Sequence, residues 1–184
     1  WKKPWISDAQ FDELVKRALK ILKKSNFIAF TYQATGANWK GVQTATKSIY
    51  PNNFLILPQS YSNSLLSEKQ KKQLTDILIK NGLDKIIFSG LPKYSFNWLV
   101  EFHKANIKTG IIFHGGLAEL NQNNIGQKTI KTLFKFAKEG KISKIYVIKE
   151  GLDKLFSNIT NVETSRIIPP ISIPENIKIN NFND

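Results

Sequence analysis

The chain has 184 residues, of which 41% are apolar and 11% aromatic, which is enough to bury a core and excludes a disordered protein. It contains no cysteine, which excludes disulfides and cysteine-based metal sites and fits a reducing compartment. Its formal net charge of +13 indicates an anionic partner, either a nucleic acid, a phosphorylated substrate or an acidic membrane surface, although an AT-rich coding genome would also enrich lysine.

Neither a membrane span nor a signal peptide is predicted. No run of about 18 apolar residues occurs, and residues 1–10 lack an apolar signal core. Because the chain begins at Trp1 and has no methionine, we expect a piece of a longer protein. We therefore predict one cytoplasmic domain over 1–174, followed by a polar linker or tail over 175–184.

The predicted elements alternate between helices and strands along the chain. Capping boxes at Ser7 and Ser67, each with glutamine three residues later, open helices over 7–24 and 67–80. Further helices are predicted over 42–50, 95–106, 117–139 and 152–158, and strands over 26–33, 53–60, 84–90, 108–116, 143–151 and 165–174.

The strand cores IIF, GIIF and IYVI are continuously apolar, as burial on both sides of a sheet requires. Strands alternating with helices at this spacing predict a parallel sheet. The expected fold is therefore α/β, a Rossmann-like sheet of about six strands with helices on both faces.

One of the two histidines lies at the end of a predicted strand, in IIFHGG (111–116). Ligands bind at the carboxyl ends of strands in open parallel sheets. Gly115 and Gly116 leave room for a ligand, and the next helix start offers N–H groups to an anion or a hydroxyl. The position is compatible both with a polar group aimed into a cleft and with a histidine that only caps a loop.

The common motifs for nucleotides and metals do not occur. The loop TGANWKG after the first strand carries Gly36 and Gly41 but fits neither GxGxxG nor GxxxxGK[ST]. No DxD spacing, HExxH motif or histidine pair is present, so no metal and no cofactor are expected. His103, on the predicted helix 95–106, is interpreted as structural.

The succession of these loops resembles the N-terminal Rossmann-like domain of GT-B glycosyltransferases, family 4 in particular. The resemblance covers about residues 26–174, and the segments that carry it are ATGANWKGVQTAT, IIFHGG, KIYVIKEGLDKLF and RIIPPISIP. The sequence departs from the family pattern in three places. The first loop lacks paired glycines, Lys149 and Glu150 replace a serine, and IPPISIP replaces IPNGVD.

The resemblance implies the acceptor-side domain of a nucleotide-sugar-dependent hexosyltransferase of bacterial polysaccharide biosynthesis, acting on a glycan, protein-linked or lipid-linked acceptor. It implies that the donor-binding domain lies outside this chain. By the same resemblance, His114 contacts the transferring sugar or the acceptor and aids proton transfer. The other implied site residues are Thr35, Gly36, Asn38 and Gly41 in the acceptor loop, Gly115 and Gly116 beside the donor, and Lys149 and Glu150 on the rim.

The predicted helix 117–139 carries a lysine stripe, defined by Lys128, Lys131, Lys135 and Lys138. These residues share one helical face, opposite an apolar face of Ile130, Leu133, Phe134 and Ala137. The stripe is interpreted either as a solvated surface or as a contact for a phosphorylated lipid or an anionic membrane at its inner face.

A second class of function is a non-enzymatic, basic Rossmann-like module that binds nucleic acid or a partner protein. In that case Trp1, Trp5 and Trp39 would stack on bases. Arginine occurs only twice and no RNA-binding signature is present, so the enzyme is the preferred prediction and no nucleic-acid partner is expected.

Overall fold

The computed structural model describes residues 5–60, 63–116 and 124–169. The helices are α1 (Asp8–Leu22), α2 (Ala37–Ile49), α3 (Glu68–Lys80), α4 (Ser95–Lys104), α5 (Asn124–Lys138) and α6 (Leu152–Thr160). The strands are β1 (Phe27–Tyr32), β2 (Phe54–Leu57), β3 (Gln59–Ser60), β4 (Asn63–Ser64), β5 (Lys85–Ser89), β6 (Lys108–Phe113), β7 (Lys144–Val147) and β8 (Thr164–Arg166).

Both predicted capping boxes are confirmed. The Ser7 hydroxyl accepts a hydrogen bond from the Gln10 amide at 3.3 Å, and the Ser7 amide donates to Gln10 Oε1 at 3.0 Å. Ser67 and Gln70 repeat this arrangement at the start of α3, with distances of 3.2 and 3.0 Å. These pairs satisfy N–H groups that a helix start otherwise leaves open, which fixes where α1 and α3 begin.

The main sheet has six parallel strands, as predicted, and their order is β2-β1-β5-β6-β7-β8. The chain runs from β1 outward to β2 and then crosses back past β1 to β5. The connection therefore reverses direction between β1 and β5, and this reversal is the topological switch point of an open α/β sheet. The short strand β3, which was predicted as the end of one strand over 53–60, forms a separate antiparallel pair with β4, which was not predicted.

Helices cover both faces of the sheet, but unequally. One face carries Ala29, Ile87 and Ile112, and α2 packs on it through Ile49 and the following Tyr50. The opposite face holds the larger core, to which the other five described helices contribute Leu14, Leu78, Phe102, Leu133 and Phe156 among others. We call the first of these the α2 face. Because successive strand residues point to opposite faces, residue parity decides which side chains reach α2.

The start of α2 was predicted too late in the sequence. The segment 34–41 was expected to be a loop, whereas α2 begins at Ala37 and includes Gly41. Gly41 is exposed and a β-carbon there would meet nothing within 4 Å, so packing does not require glycine at this position. A glycine inside a helix costs only about 1 kcal/mol relative to alanine, and tertiary contacts of the first turn offset such a cost.

All six strands of the main sheet are shorter than predicted, most of all β2, β7 and β8. β2 ends at Leu57 because Pro58 follows and a proline cannot donate to a strand ladder. β7 ends at Val147 and β8 at Arg166, although strands were expected over 143–151 and 165–174. Residues 170–184, which include the predicted linker, lie outside the described part of the chain.

Candidate functional site

His114 and Ser89 meet at the carboxyl edge of the sheet. Ser89 ends β5, and His114 directly follows the neighbouring strand β6. The register pairs Ser89 with Ile112, so His114 lies two residues further along on the same α2 face. Nε2 of His114 lies 2.8 Å from Oγ of Ser89. Adjacent strand ends thus bring an imidazole and a hydroxyl into direct hydrogen-bonding contact.

A set of buried hydroxyls, Thr31, Thr46 and Ser89, continues this contact inward, and we call it the hydroxyl chain. Oγ of Ser89 lies 2.6 Å from Oγ1 of Thr46, which is on α2. The Thr46 hydroxyl donates to the Val42 carbonyl at 2.7 Å and lies 3.3 Å from Oγ1 of Thr31. All three hydroxyl residues are fully buried. Buried hydroxyls need partners, so the chain ties α2, β1, β5 and His114 together.

Burial also determines the charge of His114. The ring is partly buried, and this desolvation lowers the pKa of His114 from its ordinary value of 6.5 to about 4. The imidazole is therefore neutral at neutral pH. A neutral imidazole offers one N–H donor and one acceptor nitrogen, so it suits uncharged polar groups better than an anion.

Trp39 packs at the switch point. Its ring lies 5.3 Å from that of Tyr32, edge to face, and beside Gly90, the residue after Ser89. Trp39 thus contributes to packing at this edge of the sheet. Of the two other tryptophans proposed to stack on bases, Trp5 is exposed, and Trp1 lies outside the described residues.

A second set of hydrogen bonds joins the loops on the opposite face. Tyr94 donates its hydroxyl to Gln59 Oε1 at 3.2 Å, and Gln59 Nε2 donates to the Gln33 carbonyl at 3.1 Å. The buried hydroxyls of Tyr32 and Ser95 lie 2.6 Å apart. Hydrogen bonds therefore connect the segments that follow β1, β2 and β5 beside the switch point.

The structure brings only some of the predicted site residues to this edge. Thr35 and Gly36 lie in the loop between β1 and α2, as predicted, and Gly115 and Gly116 follow His114 and are partly buried. The helix start expected directly after them, at 117–123, lies outside the described residues.

Two of the predicted loop residues are helical instead. Asn38 and Gly41 belong to α2, so the prediction that they lie in a loop is wrong, while their assignment to an acceptor site stays a prediction. Helix α2 begins immediately after Gly36, which leaves a loop of only four residues after β1.

The two rim residues follow β7 and are exposed. Lys149 and Glu150 lie at the carboxyl end of a strand adjacent to β6, on the same edge of the sheet as His114. Glu150 pairs with Nη1 of Arg166 at 3.3 Å, which links the ends of β7 and β8. Both partners are solvated, so this ion pair contributes little to stability.

The lysine stripe has the predicted orientation. Its four lysines are exposed, while Ile130, Leu133 and Ala137 are buried against the sheet. Phe134, on the same apolar side, meets the Phe156 ring edge-on with 4.9 Å between centroids. Glu139 lies 3.8 Å from Lys135 and so offsets part of the positive charge at the carboxyl end of α5.

Cavities also lie elsewhere in the described part of the molecule. A cavity of about 610 Å³ separates α3 from α4 and is bordered by Lys71 and Trp98. Another, of about 700 Å³, lies beside α1 and is bordered by Leu14 and Pro58. Neither includes His114. We identify the site at the carboxyl edge from its polar residues and from the topology of the sheet.

Ser89 and Thr46 were missed in the sequence, although one signal was available for Ser89. The segment IIFSG (86–90) repeats the pattern of IIFHGG (111–116), in which an apolar strand ends in a polar residue followed by glycine. Once β5 and β6 are adjacent and parallel, the repeated pattern brings the two polar residues to one edge.

Three further findings concern metal binding, membrane spanning and similarity to known proteins. Within the described residues, no group of three or more histidine, aspartate or glutamate side chains lies together in a way that could hold a metal ion. None of the described helices has both the length and the apolar character needed to cross a bilayer. Comparison of the chain with known protein families, curated proteins and solved structures finds no match.

Proposed function

We propose that this chain is the acceptor-side domain of a metal-independent glycosyltransferase that transfers a hexose from a nucleotide sugar to a glycan, protein-linked or lipid-linked acceptor. The proposal depends on one observation: the neutral imidazole of His114 is hydrogen-bonded through Nε2 to Ser89 at the carboxyl edge of a Rossmann-like sheet. Ligands of such sheets bind at this edge, next to the switch point.

The proposed reaction needs positioning more than it needs a strong base. A bond forms between the acceptor oxygen and the anomeric carbon, and the bond from that carbon to the diphosphate oxygen breaks. The acceptor proton and the nucleoside diphosphate then leave. A general base works best when its pKa is near the working pH, and the pKa of His114 is about 4. We therefore assign His114 to orienting a hydroxyl of the sugar or the acceptor, in place of the proton transfer first expected.

The residues around His114 have supporting roles in this proposal. Gly115 and Gly116 leave space for the donor sugar, and Thr35 and Gly36 shape the acceptor side. Lys149 attracts the negative charge of the donor from the rim. The resemblance assigns most of the nucleotide-sugar site to a second domain, so we expect residues 1–184 alone not to transfer sugar.

The lysine stripe supports a membrane location for the acceptor. Four exposed lysines on one helical face can each contribute about 1 kcal/mol near an anionic surface. Because the apolar side of α5 is buried, attachment would be electrostatic and sensitive to salt. We therefore propose transient contact with an anionic membrane at its inner face, where lipid-linked acceptors would be presented.

The proposed function is tested by the release of nucleoside diphosphate from UDP-, GDP- and ADP-hexoses by the complete protein that contains this chain. We expect release with at least one donor, and a loss of roughly tenfold or more in His114→Ala, which corresponds to about 1.4 kcal/mol of transition-state stabilisation. No release from any donor, together with oligonucleotide binding that weakens steeply with salt, would contradict the proposal and favour a nucleic-acid-binding module.

A further inference from the structure

The hydrogen-bond geometry determines more than the position of His114. We propose that Thr46 and Ser89 hold His114 as the Nε2–H tautomer, so that Nδ1 carries the lone pair and can accept a hydrogen bond. Thr46 and Ser89 are positioning residues in this proposal, because they act on the ligand only through the histidine ring. The proposal follows from counting the protons in the hydroxyl chain.

The count begins at Thr46, whose hydroxyl has a single proton. Its Oγ1 lies 2.7 Å from the carbonyl oxygen of Val42, one helical turn earlier. A carbonyl can only accept, and the other acceptor within reach of Thr46, Oγ1 of Thr31, is farther away at 3.3 Å, so the Thr46 proton points to Val42. This leaves the lone pairs of Thr46 Oγ1 available, and Ser89 Oγ lies only 2.6 Å away. Ser89 must therefore be the donor in that contact.

The same argument then applies to the next contact. Ser89 also has one proton, and that proton is directed to Thr46. At the 2.8 Å contact between Ser89 Oγ and His114 Nε2, the donor must therefore be Nε2–H. A neutral imidazole has one N–H group, so its proton is on Nε2 and the lone pair is on Nδ1. Burial, which lowers the pKa of His114 to about 4, supports the neutral form at neutral pH.

If the donors and acceptors in the hydroxyl chain were reversed, His114 would have a different chemical role. If Thr46 donated to Ser89 and Ser89 donated to Nε2, the histidine would activate a serine nucleophile. Ser89 is fully buried beneath the edge of the sheet, so a substrate carbon cannot reach its oxygen without movement of the strand ends. The burial of Ser89 and the short hydrogen bond from Thr46 to the Val42 carbonyl both favour a positioning role for Ser89.

The tautomer defines which ligand group suits the site. Nδ1 with a lone pair accepts a hydrogen bond from a hydroxyl or an amide, whereas an ionised phosphate oxygen has no proton to donate. On the proposed function, that hydroxyl belongs to the transferring sugar or to the acceptor. The diphosphate of the donor would then be bound by other groups.

The test is a long-range ¹H–¹⁵N spectrum of the chain labelled with ¹⁵N in histidine, at neutral pH and without substrate. Only two histidines contribute, and His103→Gln identifies the signals of His114. We expect Nε2 of His114 to be protonated and Nδ1 unprotonated, with this tautomer in excess by roughly tenfold or more, equivalent to about 1.4 kcal/mol. A protonated Nδ1, or an equal mixture of tautomers, would overturn the proposal.

Variants of Thr46 then test why the His114 ring prefers the Nε2–H tautomer. Thr46→Val removes the acceptor for the Ser89 proton, so Ser89 should donate to Nε2 and the ring should change to the Nδ1–H tautomer. Thr46→Ser keeps the hydroxyl and should retain the Nε2–H tautomer. An unchanged ring in folded Thr46→Val would overturn the role of Thr46. Because no substrate is present, the outcome does not depend on whether the protein transfers sugar.

Discussion

The ring of Trp39 lies so close to Gly90 that a β-carbon added to the glycine would be 2.9 Å from Cζ3 of the indole. Gly90 also has φ of +86°, a left-handed conformation that residues with a β-carbon resist. This turn directly follows Ser89, and the chain continues from it to α4. Two independent constraints therefore hold the backbone next to the proposed site.

We predict that Gly90→Ala destabilises the protein more than Gly82→Ala. Gly82 has nearly the same backbone angle, φ +83°, but a β-carbon there would meet nothing within 4 Å. Gly82→Ala should therefore cost only the left-handed strain, about 1–2 kcal/mol. Gly90→Ala should cost at least about 1 kcal/mol more, because the indole must move. Chemical denaturation of both variants measures the difference.

A background that lacks the indole provides the control for this comparison. In Trp39→Leu the additional cost of Gly90→Ala should decrease, leaving the part that arises from Val42 Cγ1 at 3.2 Å, while the cost of Gly82→Ala should stay the same. Equal losses for the two glycine variants in the wild-type background would show that the contact with Trp39 does not constrain the turn.

The pKa of His114 predicts how stability depends on pH. The folded pKa of about 4 lies below the unfolded value of 6.5, so between these values the unfolded chain binds a proton that the folded chain does not. The His114 contribution to the free energy of unfolding should therefore be unchanged above about pH 6.5 and should decrease as the pH falls towards 4. Between about pH 7.5 and about pH 5 the decrease should be about 1–2 kcal/mol, allowing for the partly solvated ring.

Carboxylates also titrate near this range, so the measurement compares the wild type with His114→Gln. The difference between their free energies of unfolding, obtained from urea titrations at the two pH values, isolates the histidine. Parallel pH dependence in the two proteins would mean that His114 has the same pKa in the folded and the unfolded chain.

The lysine stripe predicts salt-sensitive binding to vesicles that contain anionic lipid. Changing Lys128, Lys131, Lys135 and Lys138 to glutamine should abolish co-sedimentation with acidic vesicles at low salt, because each lysine contributes about 1 kcal/mol. The matched control changes four exposed lysines on other helices, Lys16, Lys20, Lys69 and Lys72, and so reduces the net charge equally, from +13 by 4 to +9. The control should still bind. The same loss in both variants, or equal recovery on neutral vesicles, would leave the stripe as a solvated surface.

Much of the fold could be predicted because its signals are local. Continuous apolar runs such as residues 86–88 mark strands buried on both sides, and the capping boxes at Ser7 and Ser67 mark helix starts. The position of His114 at the end of β6 followed from the same pattern. The start of α2 was missed because Gly36 and Gly41 indicate a loop, whereas contacts of Trp39 with the sheet support the first helical turn.

The partners of His114 could not be predicted in the same way. Thr46 lies 68 residues before His114 in the chain (114 minus 46), and its contact with Ser89 depends on how α2 crosses the sheet. Serine and threonine are common in loops and helices, so their type carries little information about burial. Only the strand register and the position of α2 show that Thr31, Thr46 and Ser89 form one chain beneath the histidine.

The central claim is that His114 orients the sugar or the acceptor during glycosyl transfer. The most direct test measures the transfer rate of the complete protein that carries His114→Gln and compares it with the rate of His103→Gln. His103 lies on α4, away from the carboxyl edge, and serves as the matched histidine control. We predict that His114→Gln lowers the rate by roughly tenfold or more while thermal stability near neutral pH is retained, and that His103→Gln stays within about twofold of the wild type. A wild-type rate for His114→Gln, or equal losses for the two variants, would contradict the account.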